Sequence, residues 1–510
     1  MGLDSALSIA NGGLANINAQ FAIISQNVAN ASTPSYAVEV SNQQALTSDG
    51  IGLGVQTLPA TLQINQALES SAQQQNATVT GLTTTQTALQ AIDSVLGTPG
   101  SGSDIGSLLG NLQNSFSTLL TDPSSQTQQS AVVSAATILA QGINSLSAAY
   151  TTQRQAAQND LQSAVATLNS TLATIGQLSN QIIALQPTGQ SVADLENQRN
   201  AAVSTLSQLM NVQTVQQPNG GLTVFTSSGL TLPTDASSTN GPFAIAAGSA
   251  QPGSYYPGGG LSGIALNGTD VTSQIQGGRI GADITLRDST LPTEQAELDE
   301  FSDGLSNRFA AQGLTLFTDA SGNVPSGSGT PVQNGYVGYA ATIQVNPAVT
   351  ADPSLVRDGT ASIAGSTTGA SSFTPNPTGG PAGFTTLISR VLDYTFGSEA
   401  QSGVNQLAMN TSGLGAAGTL SAPFSSPSTL SDYATDLVSS QAQTSANTTS
   451  QLTTEQDLQT SLAAKISSVS GVNMDTEMSQ MIGLQNAYDA NARVIAAVQA
   501  MFTQLLQAVQ

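Results

Sequence analysis

The sequence of 510 residues contains no cysteine, no histidine and no tryptophan. The first two absences exclude disulfides, histidine-based catalytic triads, cysteine nucleophiles, and zinc, haem or iron–sulfur sites that need those ligands. Charged residues are also scarce, at 8% of the chain, compared with about 25% in an average soluble protein. An apolar content of 39% nevertheless favours a folded chain over global disorder.

The net charge of −22 opposes phosphate backbones and anionic lipid surfaces, so we predict no nucleic-acid partner and no membrane partner. No apolar run approaches the length of a membrane-spanning helix. The first residues lack the basic and apolar regions of a secretory signal peptide. We therefore expect either a cytoplasmic protein or one exported without a cleaved peptide.

Few segments suggest catalytic or ligand chemistry. The glycine run at 258–263 has dinucleotide-loop spacing but follows no predicted strand, and 319–323 lacks the closing glutamate of a calcium loop. Three carboxylates between 299 and 303 are predicted to form a solvated helix face, and Lys465 is predicted to be exposed. We therefore predict no catalytic residue, no metal site, no cofactor and no enzymatic activity.

Apolar residues recur with heptad spacing at both ends of the chain, from Leu3 to Ala31 and again from Met481 onward. Almost no charge flanks either stripe, and Pro34 ends the first. Isolated helices of this kind are unstable in water, so we predict that they pair with each other or with neighbouring copies. The residues predicted to form this coiled coil are Leu14, Ile17, Phe21, Ile24, Val28, Met481, Leu484, Tyr488, Ile495, Val498, Phe502 and Leu505.

Longer helices are predicted inside these ends. Helical periodicity covers about 62–212, and a partner zone covers 426–469 with Gly471 as its C-terminal stop. A further helix is predicted at 291–312 and a short one at 385–396. The arrangement places both termini at the same end of the molecule.

The middle of the chain is rich in Gly, Pro, Ser and Thr and predicts antiparallel β structure. The clearest predicted strands are 221–226, 279–286 and 341–345. We therefore predict an α+β, nested multidomain protein. Its predicted domains are a terminal coiled coil (1–60 and 470–510), a helical bundle (61–212, 291–313 and 426–469), a β-rich domain (213–290) and a second β-rich or irregular outer region (314–425).

Two motifs lie beside the terminal helices. SQNVANASTPSY stands at 25–36, and SGVNMDTEM at 470–478 is followed by QNAYDANA at 485–492. In this order they resemble the two terminal signatures of the bacterial flagellar rod, hook and hook-associated axial proteins. The signature positions are Asn27, Asn30, Thr33, Pro34, Tyr36, Gly471, Val472, Asn473, Asp475 and Glu477.

A third segment, with Arg287-Asp288, Leu291-Pro292 and Leu298, is similar to an internal stretch of the hook-associated protein 1 family. The helical zone predicted directly after the N-terminal motif favours the same family, since hook and distal rod proteins enter β structure there. This sequence departs from the signatures at Ser35, where glycine is usual, at Ala37, where a basic residue is common, and at Thr476, which replaces an acid. If the N-terminal turn is kept, Ser35 must adopt the left-handed conformation.

The resemblance implies a structural component of the bacterial flagellum. Such a protein would be exported unfolded by the flagellar type III system and assembled through its terminal helices into an adaptor ring joining hook to filament. The implied partners are copies of itself, the hook protein, the second hook–filament junction protein and a dedicated export chaperone. The implied location is the secreted, extracellular hook–filament junction. Two alternatives remain open: the flagellar hook protein, and an exported carboxylate-dependent hydrolase or adhesin that uses the β regions.

Overall fold

The computed structural model describes residues 2–48, 51–97, 100–234, 241–325, 327 and 329–508. The outermost residues of the predicted terminal domain, 1 and 509–510, lie outside these ranges. The α-helices are α1 (Leu3–Asn30), α2 (Gln66–Leu96), α3 (Ile105–Thr121), α4 (Gln126–Leu185), α5 (Ala193–Leu209), α6 (Gly278–Thr285), α7 (Leu291–Ala311), α8 (Pro347–Ala351), α9 (Leu355–Asp358), α10 (Thr386–Arg390), α11 (Leu430–Ser470) and α12 (Met474–Ala508). Short π-helices follow α6 and α10 directly, at Leu286–Thr290 and Val391–Thr395.

The strands are short apart from the first two, and they pair antiparallel in separate sheets of two or three strands. They are β1 (Glu39–Ser48), β2 (Ile51–Leu62), β3 (Val212–Gln216), β4 (Leu222–Thr226), β5 (Thr231–Leu232), β6 (Phe243–Ile245), β7 (Ile264–Leu266), β8 (Thr269–Asp270), β9 (Phe317–Thr318), β10 (Gln344–Val345), β11 (Glu399–Gln401), β12 (Val404–Asn405), β13 (Ser412–Leu414) and β14 (Leu420–Ser421). Long helices combined with small antiparallel sheets confirm the predicted α+β class.

Two hydrophobic cores hold these elements together. The first joins α2, α3, the first half of α4, α7 and α11 with apolar residues between 314 and 409. The second joins the rest of α4 with α5, α6 and strands β3 to β7. Helix α4 contributes to both cores, and its 60 residues correspond to about 90 Å of helix. The proposed domain boundaries stay a prediction, and α4 contributes residues to the cores on both sides of them.

The stretch from α4 to Thr188 is long and apolar enough, by length and composition alone, to cross a membrane. A core helix of a globular protein passes the same test, and 44% of the most apolar window is buried inside the protein. The buried side chains, such as Leu139, Ile143, Leu168 and Ile175, belong to the two cores. Packing within the chain therefore accounts for the apolar character of this helix.

The predicted helices are found. The zone over 62–212 contains α2 to α5, and the partner zone contains α11. The helix predicted at 291–312 is α7, which turns Leu298, Phe301, Leu305 and Phe309 into the first core.

The strand predictions were only partly right. β4 lies where a strand was expected at 221–226. Of the strand predicted at 341–345, only the two residues of β10 are in a strand, and a 3₁₀ turn at Tyr339–Ala341 precedes them. The prediction of a strand at 279–286 was wrong, because this segment is α6 and the start of a π-helix. Gly278 has a φ of +61° at the start of α6, and a Cβ there would lie 2.5 Å from the Leu209 carbonyl carbon. The alternating pattern thus belongs to a helix buried among α2, α4 and α5.

The prediction of a helical zone directly after the N-terminal motif was also wrong. Residues 39–48 and 51–62 form the β1–β2 hairpin, and α2 begins only at Gln66. The sequence Asp49-Gly50 between the strands is typical of a hairpin turn and was the available signal. β structure at this point therefore does not separate this chain from hook and rod proteins.

Arginine side chains fasten loops to the helices. Arg154 donates to the backbone carbonyls of Arg287, Gln251 and Ser254, at 2.6 to 2.9 Å. Arg287 is fully buried and donates two hydrogen bonds of 2.7 Å to Asp288. It also donates to the Gln158 side chain and to the Ser262 carbonyl. Both guanidinium groups thus serve contacts inside the chain.

The carboxylates predicted to form a solvated face of α7 are mostly buried, which corrects that expectation. Asp299 accepts the backbone N–H groups of Gly338 and Ala340, and Glu300 accepts the Tyr336 hydroxyl and the Asn410 N–H. Parts of the segment 313–410, which contains α8 to α10 and β9 to β12, pack over this face and remove it from water. Within the described ranges, no group of three or more Asp or Glu side chains is arranged to hold a metal ion.

Candidate assembly interface

The two terminal helices pack against each other in antiparallel directions. Gly13 of α1 lies against Asn491 of α12, and Asn27 of α1 hydrogen-bonds Glu477 of α12. A Cβ on Gly13 would be 3.2 Å from Asn491 Oδ1, so glycine permits the close approach. These two contacts fix the register, since moving 14 residues along α1 moves 14 residues back along α12.

Most predicted seam residues lie at this contact. Ile17, Ile24 and Val498 are buried. The remaining seam residues except two are half-buried: Leu14, Phe21, Val28, Met481, Leu484, Ile495 and Phe502. The part of these residues in assembly stays a prediction.

Tyr488 and Leu505 are the exceptions, because they do not pack in the seam as predicted. They are 41% and 55% exposed. At the level of Tyr488, Ala487 and Asn491 take the side facing α1. Leu505 lies beyond the start of α1 in the antiparallel register, so no α1 residue stands opposite it. A part in assembly stays a prediction for both.

Asn27 connects the two terminal motifs. Its side chain is buried, and its Oδ1 accepts the Glu39 N–H at 3.0 Å and the Tyr36 hydroxyl at 3.1 Å. Its Nδ2 donates to the Glu39 carbonyl at 2.9 Å and to Glu477 Oε2 at 3.3 Å. Both ends of the amide are therefore engaged, and three signature positions, Asn27, Tyr36 and Glu477, meet at one point.

The segment that leaves α1 is held on both sides in the same manner. Asn197 of α5 accepts the Ala37 N–H at 2.9 Å and donates to the Ala37 carbonyl at 3.0 Å. Val38 donates its N–H to the Ser470 carbonyl at 2.8 Å. Side-chain amides and one backbone bond thus fix the extended segment 37–39 to α1, to the end of α11 and to α5.

The β1–β2 hairpin covers another side of α1. Buried Asn16 donates to Gln43 Oε1 at 2.6 Å and accepts the Thr57 hydroxyl at 3.1 Å. Further along, Gly54 lies against Ile9, with 3.7 Å between its added Cβ and the Ile9 Cα. The terminal unit therefore consists of two helices and a hairpin.

The remaining signature residues shape the ends of the helices. Asn473 Oδ1 accepts the N–H groups of Asp475 and Thr476 and so caps α12, with exposed Asp475 in the first turn. Asn30 donates to the Gln26 carbonyl and accepts the Thr33 hydroxyl. Pro34 is exposed in the turn, and Val472 is half-buried before α12.

Ser35 and Gly471, which lie beside the terminal helices, have different backbone conformations. Ser35 has a φ of +61°, which confirms the left-handed conformation predicted from the kept turn. Gly471 directly follows the last residue of α11, as predicted, and has an extended backbone with a φ of −77°. A Cβ at this position would lie 2.4 Å from the Ser467 carbonyl oxygen, which explains the glycine.

The junction between α1 and β1 is acidic and poorly hydrated. Burial raises the pKa of Glu39, and the nearby carboxylate of Asp194 adds to this effect. Burial also raises the pKa of Tyr36, with Glu39 contributing. Tyr36 therefore stays a neutral hydroxyl that donates to Asn27.

Sequence reasoning missed Asn16, Asn197 and Glu39. Each lies outside the predicted apolar seam or the quoted motifs, and asparagine in a helix gives no periodic signal. Only the approach of distant segments makes these side chains important. Asn197, for example, stands 160 residues from its partner Ala37.

Replacing Asn27 with alanine should loosen the terminal unit by about 2–3 kcal/mol, because buried partners on Glu39 would lose their hydrogen bonds. Hydrogen exchange of α1 and α12 should accelerate accordingly. Asn30→Ala is the matched control, since Asn30 bonds only within its own turn. Equal acceleration in both variants would contradict the connecting role of Asn27.

Helix α12 also carries apolar side chains that α1 leaves exposed. These side chains are 41% to 66% exposed. They are Met474, Met478, Ile482, Tyr488, Val494, Met501, Leu505 and Leu506. We call them the outward face.

Comparison with known proteins gives two family matches. The family described as the flagellar hook-associated protein FlgK helical domain matches residues 89–324. The family described as the flagellar basal body rod FlgEFG protein C-terminal matches residues 465–508, which cover α12. No curated protein matches the chain.

A similar solved structure is that of the flagellar hook junction protein FlgK from Burkholderia pseudomallei. It is 27% identical with a TM-score of 0.40, and the match covers 51% of this chain and 46% of that one. The chain thus spans less than half of that protein's length in the match. Residues 89–324 thus match the helical domain of the flagellar hook-associated protein FlgK, and α12 matches the C-terminal domain of the flagellar rod proteins, with both terminal motifs joined at Asn27.

Proposed function

We propose that this protein is an adaptor that joins hook to filament as a ring, assembled through α1, α12 and the β1–β2 hairpin. The observation that carries this proposal is the outward face. Apolar side chains such as Ile482 and Leu506, 57% and 66% exposed, favour burial against another molecule. Copies of the same chain arranged side by side would cover them.

The terminal unit also lacks a core of its own. Neither hydrophobic core includes a residue of α1 or α12. The fully buried residues of α12 are Glu477 and Val498 among those described. Stability of this unit would therefore rise when neighbours bury the outward face, which couples its ordering to assembly.

The family match at 89–324 favours a hook-associated member over the hook protein. The acidic residues behind the hydrolase or adhesin alternative, Asp299 and Glu300, are buried and bonded to the backbone and to Tyr336. Nothing observed favours that alternative. As partners we propose copies of the chain, the hook protein, the second junction protein and an export chaperone, with type III export to the extracellular junction.

Removing 475–510 should leave secretion largely intact and abolish filament attachment, because α1 would lose its partner and the outward face would be gone. The measurement is electron microscopy of a strain whose only copy carries the deletion, together with detection of the secreted chain. Cells with hooks but without filaments are expected. Normal filaments would refute the assembly role, and missing hooks would indicate the hook protein instead.

A double variant separates assembly from folding. Met478→Ser with Ile482→Ser changes only outward side chains, so the purified chain should keep its helical content while filaments detach. Ser479→Ala with Gln485→Ala, also exposed on α12, is the matched control and should attach filaments normally.

A further inference from the structure

Basic side chains are few, and nearly all are used inside the chain. Each of the arginines but one donates to another residue: Arg154, Arg199, Arg279, Arg287, Arg308, Arg357 and Arg390. Among the described residues, Arg493 and Lys465 have no such bond and no ion pair within 4.0 Å. Arg493 is therefore an exposed and unpaired cation on α12.

Arg493 projects away from α1. It stands two residues from Asn491 and from Ile495, both half-buried toward α1. Two residues correspond to about 200° of helical rotation, which places Arg493 on the opposite side of α12. Asp489, one turn earlier, has the spacing of a helical ion pair, yet the two do not pair within 4.0 Å.

An acidic pocket of about 380 Å³ lies where α1, β1 and the start of α12 meet. Glu39 and Glu477 line it, and they are only 6% and 5% exposed. Glu39 Oε1 has no hydrogen-bond partner, and Asn27 is the partner of Glu477 Oε2. No basic residue is among those that line the pocket. Buried carboxylates without a cation favour a positively charged occupant.

We propose that Arg493 of a second copy of this chain occupies this pocket and pairs with Glu477 and Glu39. The inference rests on the proposed self-assembly and names the contact that directs it. A guanidinium offers several donors in a planar fork, which suits two carboxylates better than an ammonium does. Arg493 is also the only base on α12.

The geometry sets how the copies are related. Arg493 follows Glu477 by 16 residues on the same helix, so parallel copies must be displaced along the axis by about 24 Å. Pocket and arginine are different surfaces of one chain, and such head-to-tail contacts generate rings or helical arrays instead of two-fold dimers. One turn of a helical tube, in which each copy is raised above the one it contacts, is an arrangement that this contact permits.

Cysteine cross-linking tests the contact, because the chain has no cysteine of its own. Gln480→Cys, at the exposed side of the pocket, is combined with Ala497→Cys, one turn beyond Arg493, so that Arg493 itself is kept, and flagella are oxidised after assembly. The two positions are 17 residues apart on α12, about 26 Å, so a disulfide between them within one chain is sterically excluded. The expected result is a ladder of disulfide-linked oligomers. Gln480→Cys with Gln499→Cys is the matched control and should give no ladder.

Charge reversal gives a second readout. Arg493→Glu should reduce the number of filamented cells at least tenfold, Arg493→Lys should have a smaller effect, and Gln480→Lys added to Arg493→Glu should restore attachment. Absence of the ladder in assembled flagella, or normal attachment with Arg493→Glu, would overturn the pairing. The proposed function would survive either result so long as removal of 475–510 still detaches filaments, so the two failures are distinguishable.

Discussion

Replacing Arg287 with methionine should lower the free energy of unfolding by about 3–5 kcal/mol, because it leaves partners of a buried charge unpaired. Arg287 is fully buried, with Asp288, the Gln158 side chain and the Ser262 carbonyl as its acceptors. Its guanidinium carbon also lies 5.8 Å from the centre of the Tyr256 ring. Methionine fills much of the same space but supplies no donor.

Arg279→Met is the matched control for this substitution. The Arg279 side chain is 36% exposed and pairs with Asp160 at 2.8 Å. A pair exposed to this degree contributes about 0–1 kcal/mol. Denaturant unfolding of both variants gives the comparison. A loss of less than 1 kcal/mol in Arg287→Met would mean that the buried arginine network does not hold the β6–β7 region to α4.

Stability should fall as the pH rises from about 5 to 8, since burial raises the pKa of Glu294 and of Glu297 to about 8. Glu297 and Asp93 add to the shift at Glu294. Between the ordinary glutamate pKa, 4.5, and these raised values, the folded chain binds more protons than the unfolded chain. The free energy of unfolding therefore decreases with pH across this window and is greatest near its acid end.

The expected change is a drop in Tm of about 5–10 °C between pH 5 and pH 8, given roughly 2–4 °C per kcal/mol for domains of this size. Differential scanning calorimetry across the range measures it. Glu294→Gln with Glu297→Gln removes both ionisations and should reduce the drop, while Asp283, Asp299 and Asp303, whose pKa values burial raises to about 8, 7 and 7, retain part of it. Asp457→Asn, at an exposed position of α11, should leave it unchanged. A drop of the same size in the double glutamine variant would disprove the assignment.

At lower pH the sign reverses for other groups. Hydrogen bonds from Ser107 and Gly100 hold the pKa of Asp104 below its usual value despite its burial, and the pKa of Asp358 is lowered by hydrogen bonds to Arg357 and Asn376. Ionised Asp104 and Asp358 stabilise the folded chain at any pH above the ordinary aspartate pKa. This stabilisation is lost as the pH falls through their lowered pKa values. The carboxyl groups with raised pKa values and those with lowered pKa values together place the maximum of stability near pH 4–5.

Local chemistry was sufficient to predict the helices and the motifs. Leu298, Phe301, Leu305 and Phe309 repeat with helical spacing, and burial of one face explains why this segment is helical. Ser35 was predicted to be left-handed from its place in the turn, and its φ of +61° agrees. Both conclusions depend on residues within a few positions of each other.

The segments that were misjudged are those that other parts of the chain surround. Residues 279–286 alternate as a strand would, yet contacts with α2, α4 and α5 bury them as a helix. The carboxylates of α7 were predicted to be exposed because no residue near them in the sequence covers them. In the fold, a segment distant in the sequence covers them. Tyr488 fits the heptad, but the antiparallel register places Ala487 and Asn491 against α1.

The sequence alone determined the family resemblance, the apolar seams at both ends, the scarcity of charge and the absence of Cys and His, since these depend on residue identity and spacing. Tertiary structure decided that Asn27 joins the terminal motifs, that Arg287 is buried in a network and that Glu39 and Glu477 share a pocket. Hydrogen bonds and buried charges depend on distances between segments up to 450 residues apart. Those distances arise only when the two ends of the chain meet.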